Sequence, residues 1–153
     1  MRYLRNILFL SLLVIVAVFS CTNQPCYQDT FSSVKADFYL TGSGKTTTAD
    51  SLTLYALGRD TNKLYSSARN AAIFSFPLDA SADSCRFYIK INTIEDTITL
   101  YYTSYTHLIS KECGYTFYHI LTKPIRHNKS TPDYLIINEN ITTVNEENIR
   151  IFL

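Results

Sequence analysis

An alternation of apolar and polar residues between positions 85 and 104 constrains the fold of this chain more than any other feature. On each side of residues 93–96 the apolar members recur at every second position: Cys85, Phe87, Ile89 and Ile91 before it, and Ile98, Leu100 and Tyr102 after it. Successive side chains of a β-strand point to opposite faces, so this period of two predicts two half-buried strands. We predict a β-hairpin over 85–104 with its turn at 93–96.

Similar alternation predicts further strands along the chain, at 34–41, 51–58, 63–67, 72–78, 113–121, 134–143 and 149–153. The inward set of the first strand is predicted to include Leu40, and that of 134–143 to include Leu135, Ile137 and Ile141. Glu139 interrupts the latter segment, which indicates a bulge or two short strands meeting at a turn. Twelve tyrosines, nine phenylalanines and only four glycines also favour strands. The fold class predicted is an all-β, antiparallel β-sandwich, immunoglobulin-like or related, with eight or nine strands; a barrel is the alternative.

Residues 1–20 have the pattern of a secretory signal peptide. Arg2 and Arg5 precede an apolar run at 7–19, and the small Ser20 stands at the boundary. The alternative is a membrane-spanning helix, but that requires about 20 apolar residues, more than this run contains. We predict a signal helix over 1–20, a tether over 21–33 and a β-sandwich domain over 34–153.

The end of the signal segment, Val18-Phe19-Ser20-Cys21, resembles the lipobox of bacterial lipoproteins, in which the signal is cut before a cysteine that is then acylated. Cys21 is therefore the predicted lipidation site, and the membrane is the predicted partner through that lipid anchor. Several acyl chains anchor a protein stably, whereas one chain alone is marginal. The alternative is an ordinary signal peptide that leaves Cys21 for a disulfide.

Charge makes nucleic acid an unsuitable partner. Of the 14 lysines and arginines, 12 lie outside residues 1–20, against 13 acidic residues, and no basic block occurs. Binding to phosphates requires a concentrated basic face. We predict no nucleic-acid partner.

Three cysteines remain beyond Cys21. Cys85 belongs to an alternating apolar set, where a free cysteine acts as a small buried hydrophobe. Cys26 lies in the leader and Cys113 at the start of a predicted strand. We favour a Cys26–Cys113 disulfide, with the other pairings left open.

The sequence has no pattern typical of a catalytic or metal site. The three histidines, His107, His119 and His127, lack metal-ligand spacing, and His119 is predicted to be a satisfied histidine on a strand face. Glu95, Asp96 and Glu139 fall at predicted turns or breaks, where solvated charges are common. We predict neither enzymatic activity nor a cofactor.

Tyrosines concentrate in one part of the chain. Tyr101, Tyr102, Tyr105, Tyr115 and Tyr118 fall close together in sequence. Tyrosine suits partly solvated contacts because it combines an apolar ring with a polar hydroxyl, so exposed rings could stack on sugars or pack against a protein. Tyr101, Tyr105 and Tyr118 form the candidate binding face; the alternative is that these rings only fill strands.

Several stretches together resemble a family of small uncharacterised bacterial lipoproteins: Cys21, Cys26, and the segments at 51–58 (SLTLYALG), 76–78 (FPL), 110–115 (SKECGY) and 145–153 (NEENIRIFL). Its most specific part is the Ser-x-x-Cys-Gly-Tyr motif followed by a short C-terminal strand. The resemblance implies a Cys26–Cys113 disulfide with Cys85 as an extra cysteine. It implies no activity.

These patterns lead to two functional hypotheses. The first is a lipid-anchored, non-enzymatic binding or assembly module of the cell envelope, on the periplasmic face of the outer membrane, with an envelope protein as partner. Thr22 stands where an aspartate is associated with inner-membrane retention, and no acidic run follows. The second hypothesis is a carbohydrate-binding module that uses the tyrosine-rich face to bind a glycan.

Overall fold

The structure, a computed structural model, describes residue 3 and residues 25–58, 63–128 and 132–153. Apart from residue 3, the predicted signal helix lies outside this part of the chain, as do Cys21 and portions of the loops at 58–62 and 123–133. The described residues form ten strands, more than the eight or nine predicted: β1 (Val34–Tyr39), β2 (Ala49–Ala56), β3 (Tyr65–Ala71), β4 (Ile73–Phe76), β5 (Ser84–Ile91), β6 (Ile94–Ser110), β7 (Gly114–Leu121), β8 (Asp133–Ile136), β9 (Asn140–Ile141) and β10 (Ile149–Phe152).

The strands form two sheets, which confirms the β-sandwich prediction. One sheet has the order β4-β1-β10-β8, and the other has the order β3-β2-β5-β6-β7-β9. All strand pairs are antiparallel except β1 and β10, which run parallel, with Ala36 opposite Ile149. Parallel neighbours require a long connection, and here nearly the whole domain separates them in sequence. Alternation predicts which face a residue occupies, but it does not predict strand direction.

The core lies between the two sheets and consists of the inward residues of each strand. Val34, Ala36 and Phe38 face it from β1, and Ile149 and Ile151 face it from the neighbouring β10. The six-stranded sheet contributes the opposite wall: Leu52, Leu54, Phe87, Ile89, Ile91, Ile98, Leu100, Tyr102 and Leu121. These residues match the predicted alternation of β1, β5, β6 and β10.

The β5–β6 hairpin is present, but its turn is shorter than predicted. The turn consists of Asn92 and Thr93, and β6 begins at Ile94. Asn92 adopts a left-handed conformation, with φ of 55°, which asparagine tolerates better than most residues, and its Oδ1 accepts a hydrogen bond from the amide of Ser51. Asp96 is therefore a strand residue opposite Ile89 and points into the protein, not a solvated turn residue.

The segment around Glu139 resolves into two short strands in different sheets, one of the two predicted alternatives. The predicted inward face of its first half is wrong: Leu135 and Ile137 are exposed, while Tyr134 is buried. Register explains the difference, because Tyr134 lies opposite the buried Ile151 of β10. Two alternations of opposite phase were available in the sequence, and the partner strand selects between them.

Strand ends also differ from the prediction. β1 stops at Tyr39, and Leu40 is 45% exposed because the chain turns there, with the amide of Leu40 bonded to the carbonyl of Lys45. β3 is longer than predicted and extends to Ala71. β4 lies at an edge of the four-stranded sheet and is followed by Pro77, a residue that is tolerated at strand ends and edges.

Asn148, in the polar segment before β10, is buried and connects several strands. Its Oδ1 accepts a hydrogen bond from the amide of Lys35 at 3.0 Å, and its Nδ2 donates to the carbonyl oxygens of Asn138 and Asn140. The Asn148 side chain thus joins β1 to the segment that crosses from one sheet to the other. Such buried polar groups are tolerated when fully hydrogen-bonded.

Candidate binding surface on the β6–β7 hairpin

The β6–β7 hairpin extends beyond the sandwich. The first part of β6 pairs with β5 as far as Tyr101, and from Tyr102 onwards β6 pairs with β7 instead. We call residues 103–117, which contain the end of β6, the turn and the start of β7, the hairpin end. Side chains on both faces of the hairpin end are exposed. The four-stranded sheet therefore does not cover its inward face as it covers the inward face of the core strands.

Two of the three predicted tyrosines meet on the outer face of the β6–β7 hairpin. Tyr105 and Tyr118 lie directly opposite each other, and their ring centroids are 6.0 Å apart in an edge-to-face arrangement. His107 stacks on Tyr118 with ring centroids 4.2 Å apart and an interplanar angle of 14°. The Tyr118 hydroxyl also lies 3.1 Å from the Oγ1 of Thr143. These contacts fix Tyr118 at the centre of the face.

Tyr101 shares this face of the sheet but lies apart from the pair. Four residues separate it from Tyr105 on β6, which corresponds to about 13 Å along a strand. The ammonium group of Lys123 is 4.8 Å from the centroid of the Tyr101 ring, an exposed cation–π contact. The predicted face is therefore divided into a Tyr105–His107–Tyr118 cluster and a separate Tyr101–Lys123 pair.

An open depression lies beside the Tyr105–His107–Tyr118 cluster. It has a volume of about 380 Å³ and is lined by Gln28, Asp29, His107, Ile109, Tyr118 and Thr143. Sequence reasoning missed His107, Gln28 and Asp29 as contributors. Strand parity would have placed His107 on the face of Tyr105, but only the path of the N-terminal segment brings residues 28 and 29 there.

The N-terminal segment is fixed to the β6–β7 hairpin by a disulfide and two hydrogen bonds. Cys26 is bonded to Cys113, with their Cα atoms 4.8 Å apart, which is the pairing favoured from the sequence. The Thr116 hydroxyl donates to the carbonyl of Thr30 at 2.7 Å, and the Ser32 hydroxyl donates to the carbonyl of Phe117. The segment therefore runs along the edge of β7 next to the hairpin end.

Large apolar side chains are exposed at this end of the molecule. On the face of the hairpin that continues the inward face of the sheet, Leu108 lies opposite Tyr115. Phe117, two residues after Tyr115 on β7, shares this face. Tyr27 and Phe31 belong to the adjoining N-terminal segment. The five exposed fractions are 47% for Leu108, 71% for Tyr115, 48% for Phe117, 87% for Tyr27 and 87% for Phe31. We call these five residues the apolar end surface.

His119 marks the border between the buried and exposed parts of β7. It is 3% exposed, its Nδ1 lies 2.8 Å from the Ser104 hydroxyl, and its ring contacts Tyr102 edge to face. This confirms the prediction of a satisfied histidine. Burial lowers the pKa of His119 below its usual value, because the charged imidazolium is poorly solvated there.

A second cavity lies at the end of β2 and β5. Its volume is about 580 Å³, and Cys85, Phe87, Leu78 and Asp79 are among its lining residues. Cys85 forms no disulfide and is half-buried; its Sγ lies 3.0 Å from the hydroxyl of Tyr102, which donates to the carbonyl of Asp79. Burial and this thiol raise the pKa of Tyr102. The Tyr102 hydroxyl thus links the Cys85 thiol to the backbone at Asp79.

Asp96 organises a third polar cluster. It is 5% exposed, and its carboxylate accepts hydrogen bonds from the amides of Thr97 and Asn128 and, at 3.4 Å, from the hydroxyl of Tyr134. His127 lies 3.9 Å from the same carboxylate. Burial, more than the charge of Asp96, raises the pKa of Tyr134. The loop around residues 126–128 is thus fixed to the body by a buried carboxylate.

Within the described parts of the chain, no three histidine, cysteine or acidic side chains gather as they would around a metal ion. No helix in residues 25–58, 63–128 and 132–153 is long and apolar enough to cross a membrane.

Comparison with known proteins assigns the family. The family of unknown function (DUF6452) matches residues 51–153, which is more than half of the chain. The matched region runs from β2 to the C-terminal strand and includes Cys85 and Cys113, but not Cys21 or Cys26. No curated protein and no solved structure matches the chain significantly. The chain belongs to the family of unknown function DUF6452.

Proposed function

We propose that this chain is a lipid-anchored protein of the cell envelope, attached to a membrane by acylation of Cys21, whose sandwich domain is a non-enzymatic binding or assembly module. The observation that carries the proposal is the signal-like segment at 1–20 followed by Cys21 in a lipobox-like context. The Cys26–Cys113 disulfide supports it, because such bonds persist in oxidising compartments outside the cytosol. The Cys-Gly-Tyr motif at 113–115 resembles a motif of small bacterial lipoproteins, which also supports the proposal.

The location proposed is the outer membrane, with the domain facing the periplasm. Thr22, in place of aspartate, supports release from the inner membrane, and the lack of an acidic run after Cys21 supports a periplasmic orientation. Membrane fractionation combined with protease accessibility in intact cells tests both points. Protection of the domain in intact cells and digestion after outer-membrane permeabilisation is the expected result, and digestion in intact cells would overturn the orientation.

Metabolic labelling with palmitate tests the anchor. The wild-type chain should incorporate label and fractionate with membranes, whereas Cys21→Ala should do neither. Cys85→Ala is the matched control, because it removes a thiol outside any disulfide and should retain the label. Label that persists in Cys21→Ala would refute the lipidation proposal.

A second candidate function is carbohydrate binding at the Tyr105–His107–Tyr118 cluster. The observation that favours it is the open depression beside this cluster, where aromatic rings lie next to the polar side chains of Gln28 and Asp29. Binding sites for small ligands combine apolar or aromatic surface with a few polar groups that orient the ligand. Sugar rings present apolar C–H faces and hydroxyl edges, which suits both kinds of group.

A glycan array separates the two candidates. If the cluster binds a glycan, Tyr118→Ala should abolish the signal and Tyr105→Ala should weaken it, because Tyr118 lies at the centre of the stack. Tyr55→Ala is the matched control: its ring stacks on Tyr88 at 4.8 Å on the same face of the sheet, away from the cluster. Tyr101→Ala should also retain binding. No binding to any glycan, or binding indifferent to Tyr118→Ala, would rule out the carbohydrate hypothesis.

A further inference from the structure

The apolar end surface is exposed although the domain already has a complete core. The buried cluster between the sheets comprises apolar residues from both layers, and it does not include Leu108, Tyr115 or Phe117. Large exposed apolar side chains that cluster, in contrast to those scattered singly, mark contact sites. The sandwich itself therefore does not account for these side chains.

Their clustering follows from covalent and hydrogen-bonded constraints. Leu108 and Tyr115 are cross-strand partners. Phe31 lies between Thr30 and Ser32, which are both hydrogen-bonded to β7 at residues 116 and 117. Tyr27 directly follows Cys26, which the disulfide holds at Cys113. All five side chains are thus held at one end of the molecule.

The chemistry of this surface suits the boundary between lipid and water. Tyrosine carries an apolar ring and a polar hydroxyl, and tyrosine is enriched at both interfaces of membrane proteins. At the tip, the exposed Lys111 and Glu112 carry opposite charges, and Asp29, between Tyr27 and Phe31, adds one negative charge, so the surface is not basic. Apolar burial, not attraction to anionic lipid, would drive its association with a bilayer.

The path of the chain leads from this surface towards the proposed anchor. Cys26 follows Cys21 by five positions, a length of chain that spans at most about 18 Å when fully extended. Because Cys26 is bonded to Cys113, a lipid on Cys21 would hold the hairpin end close to the bilayer. Ile94, at the opposite end of β6, lies 14 residues from Leu108, up to about 46 Å along a straight strand.

We propose that the apolar end surface docks onto the lipid surface of the membrane that carries the Cys21 anchor, so that β6 points away from the bilayer. This inference rests on the proposed acylation of Cys21. The disulfide then acts as a rigid coupling, because it limits the orientations that the anchored domain can adopt relative to the bilayer. The Tyr101–Lys123 pair and the β5–β6 turn face away from the membrane, where partners can reach them.

Single-tryptophan reporters test this orientation, because the chain contains no tryptophan. Tyr115→Trp places the reporter in the apolar end surface. Ile94→Trp, at a position 36% exposed, places it at the opposite end of β6. Mature lipidated protein is purified from membranes and reconstituted into phosphatidylcholine vesicles with or without brominated acyl chains. Phe31→Trp provides an independent reporter if Tyr115→Trp does not fold.

Tyr115→Trp and Phe31→Trp should show blue-shifted emission and several-fold stronger quenching by brominated lipid than Ile94→Trp. Equal quenching of the three reporters, with a lipid confirmed on Cys21 by mass spectrometry, would overturn the docking and leave the anchor intact. A blue shift without bromine quenching would indicate burial against a second copy or another protein, and it would also overturn the docking. Absence of lipid on Cys21 would instead refute the proposed anchor, and the inference would fall with it.

Discussion

The two halves of β6 have similar sequence patterns but opposite environments. In the first half, Ile98, Leu100 and Tyr102 are 2%, 0% and 1% exposed, since the four-stranded sheet covers them. In the second half, Leu108 occupies the same parity and is 47% exposed. Alternation therefore sets the face of a side chain, whereas burial depends on whether an opposing layer reaches that far. The uncovered half pairs with β7, the strand to which the N-terminal segment is hydrogen-bonded.

The largest effect that tests this comparison comes from the same substitution in both halves. Leu100→Ala should lower the free energy of unfolding by about 2–5 kcal/mol, because it leaves a cavity in the packed core. Leu108→Ala should change it by no more than about 0.5 kcal/mol, as expected at an exposed site. Chemical denaturation of both variants measures the difference. Similar losses would show that the hairpin end contributes to the core, contrary to the structure.

Removal of the disulfide should have the next largest effect. The bond closes a loop with a sequence separation of 87, and the double variant Cys26→Ser/Cys113→Ser should lose about 2–4 kcal/mol of stability. Amide hydrogen exchange should increase most at residues 114–117 of β7, where the N-terminal segment is attached. Cys85→Ser is the control and should leave exchange at those residues unchanged. Increased exchange spread evenly over β5 would contradict the local role of the bond.

A third prediction compares two neighbouring acidic residues in the covered half. Asp96→Ala should cost about 1–3 kcal/mol, because it leaves the amide of Asn128 and the buried hydroxyl of Tyr134 without their acceptor. Glu95→Ala should cost less than about 1 kcal/mol, since its ion pair with Lys90 is solvent-exposed. Thermal unfolding of the two variants provides the measurement. A greater loss of stability in Glu95→Ala than in Asp96→Ala would contradict the assignment of Asp96 as the buried, stabilising carboxylate.

The smallest effect concerns His119, at the border between the halves. Burial lowers its pKa in the folded state, so below about pH 6.5 the unfolded chain binds a proton more readily than the folded protein. The contribution of His119 to stability is therefore complete above that pH and declines as the pH falls through it. His119→Gln should show a flatter stability profile between about pH 7 and pH 5, measured by denaturation at each pH. An unchanged profile in the variant would assign the pH dependence to other groups.

The sequence predicted most of the core because each covered strand has one clear alternating phase. It failed for β8, where Leu135–Ile137 and Tyr134–Ile136 offered two phases and pairing with β10 selected the second. It also failed for Asp96 and Asn148: the sequence alone did not reveal the distant partners, Asn128, Tyr134 and Lys35, that make burial of these polar groups favourable.

The candidate surface was predictable only in part. Strand parity places Tyr101, Tyr105 and Tyr118 on one face, but the distance of Tyr101 from the other two follows from its position along β6. His107 could have been found by the same parity, since it lies two residues from Tyr105. Gln28 and Asp29 could not, because the Cys26–Cys113 bond and the path of residues 26–33 bring them to the depression.

The central claim is that a lipid on Cys21 lies a few residues from a disulfide that fixes it to the hairpin end. Mass spectrometry of a non-reduced tryptic digest of the membrane-purified protein tests this most directly. The account predicts one species in which residues 21–35, acylated at Cys21, are disulfide-linked to residues 112–126. A non-acylated N-terminal peptide, or one linked to the Cys85 peptide at residues 70–86, would contradict it.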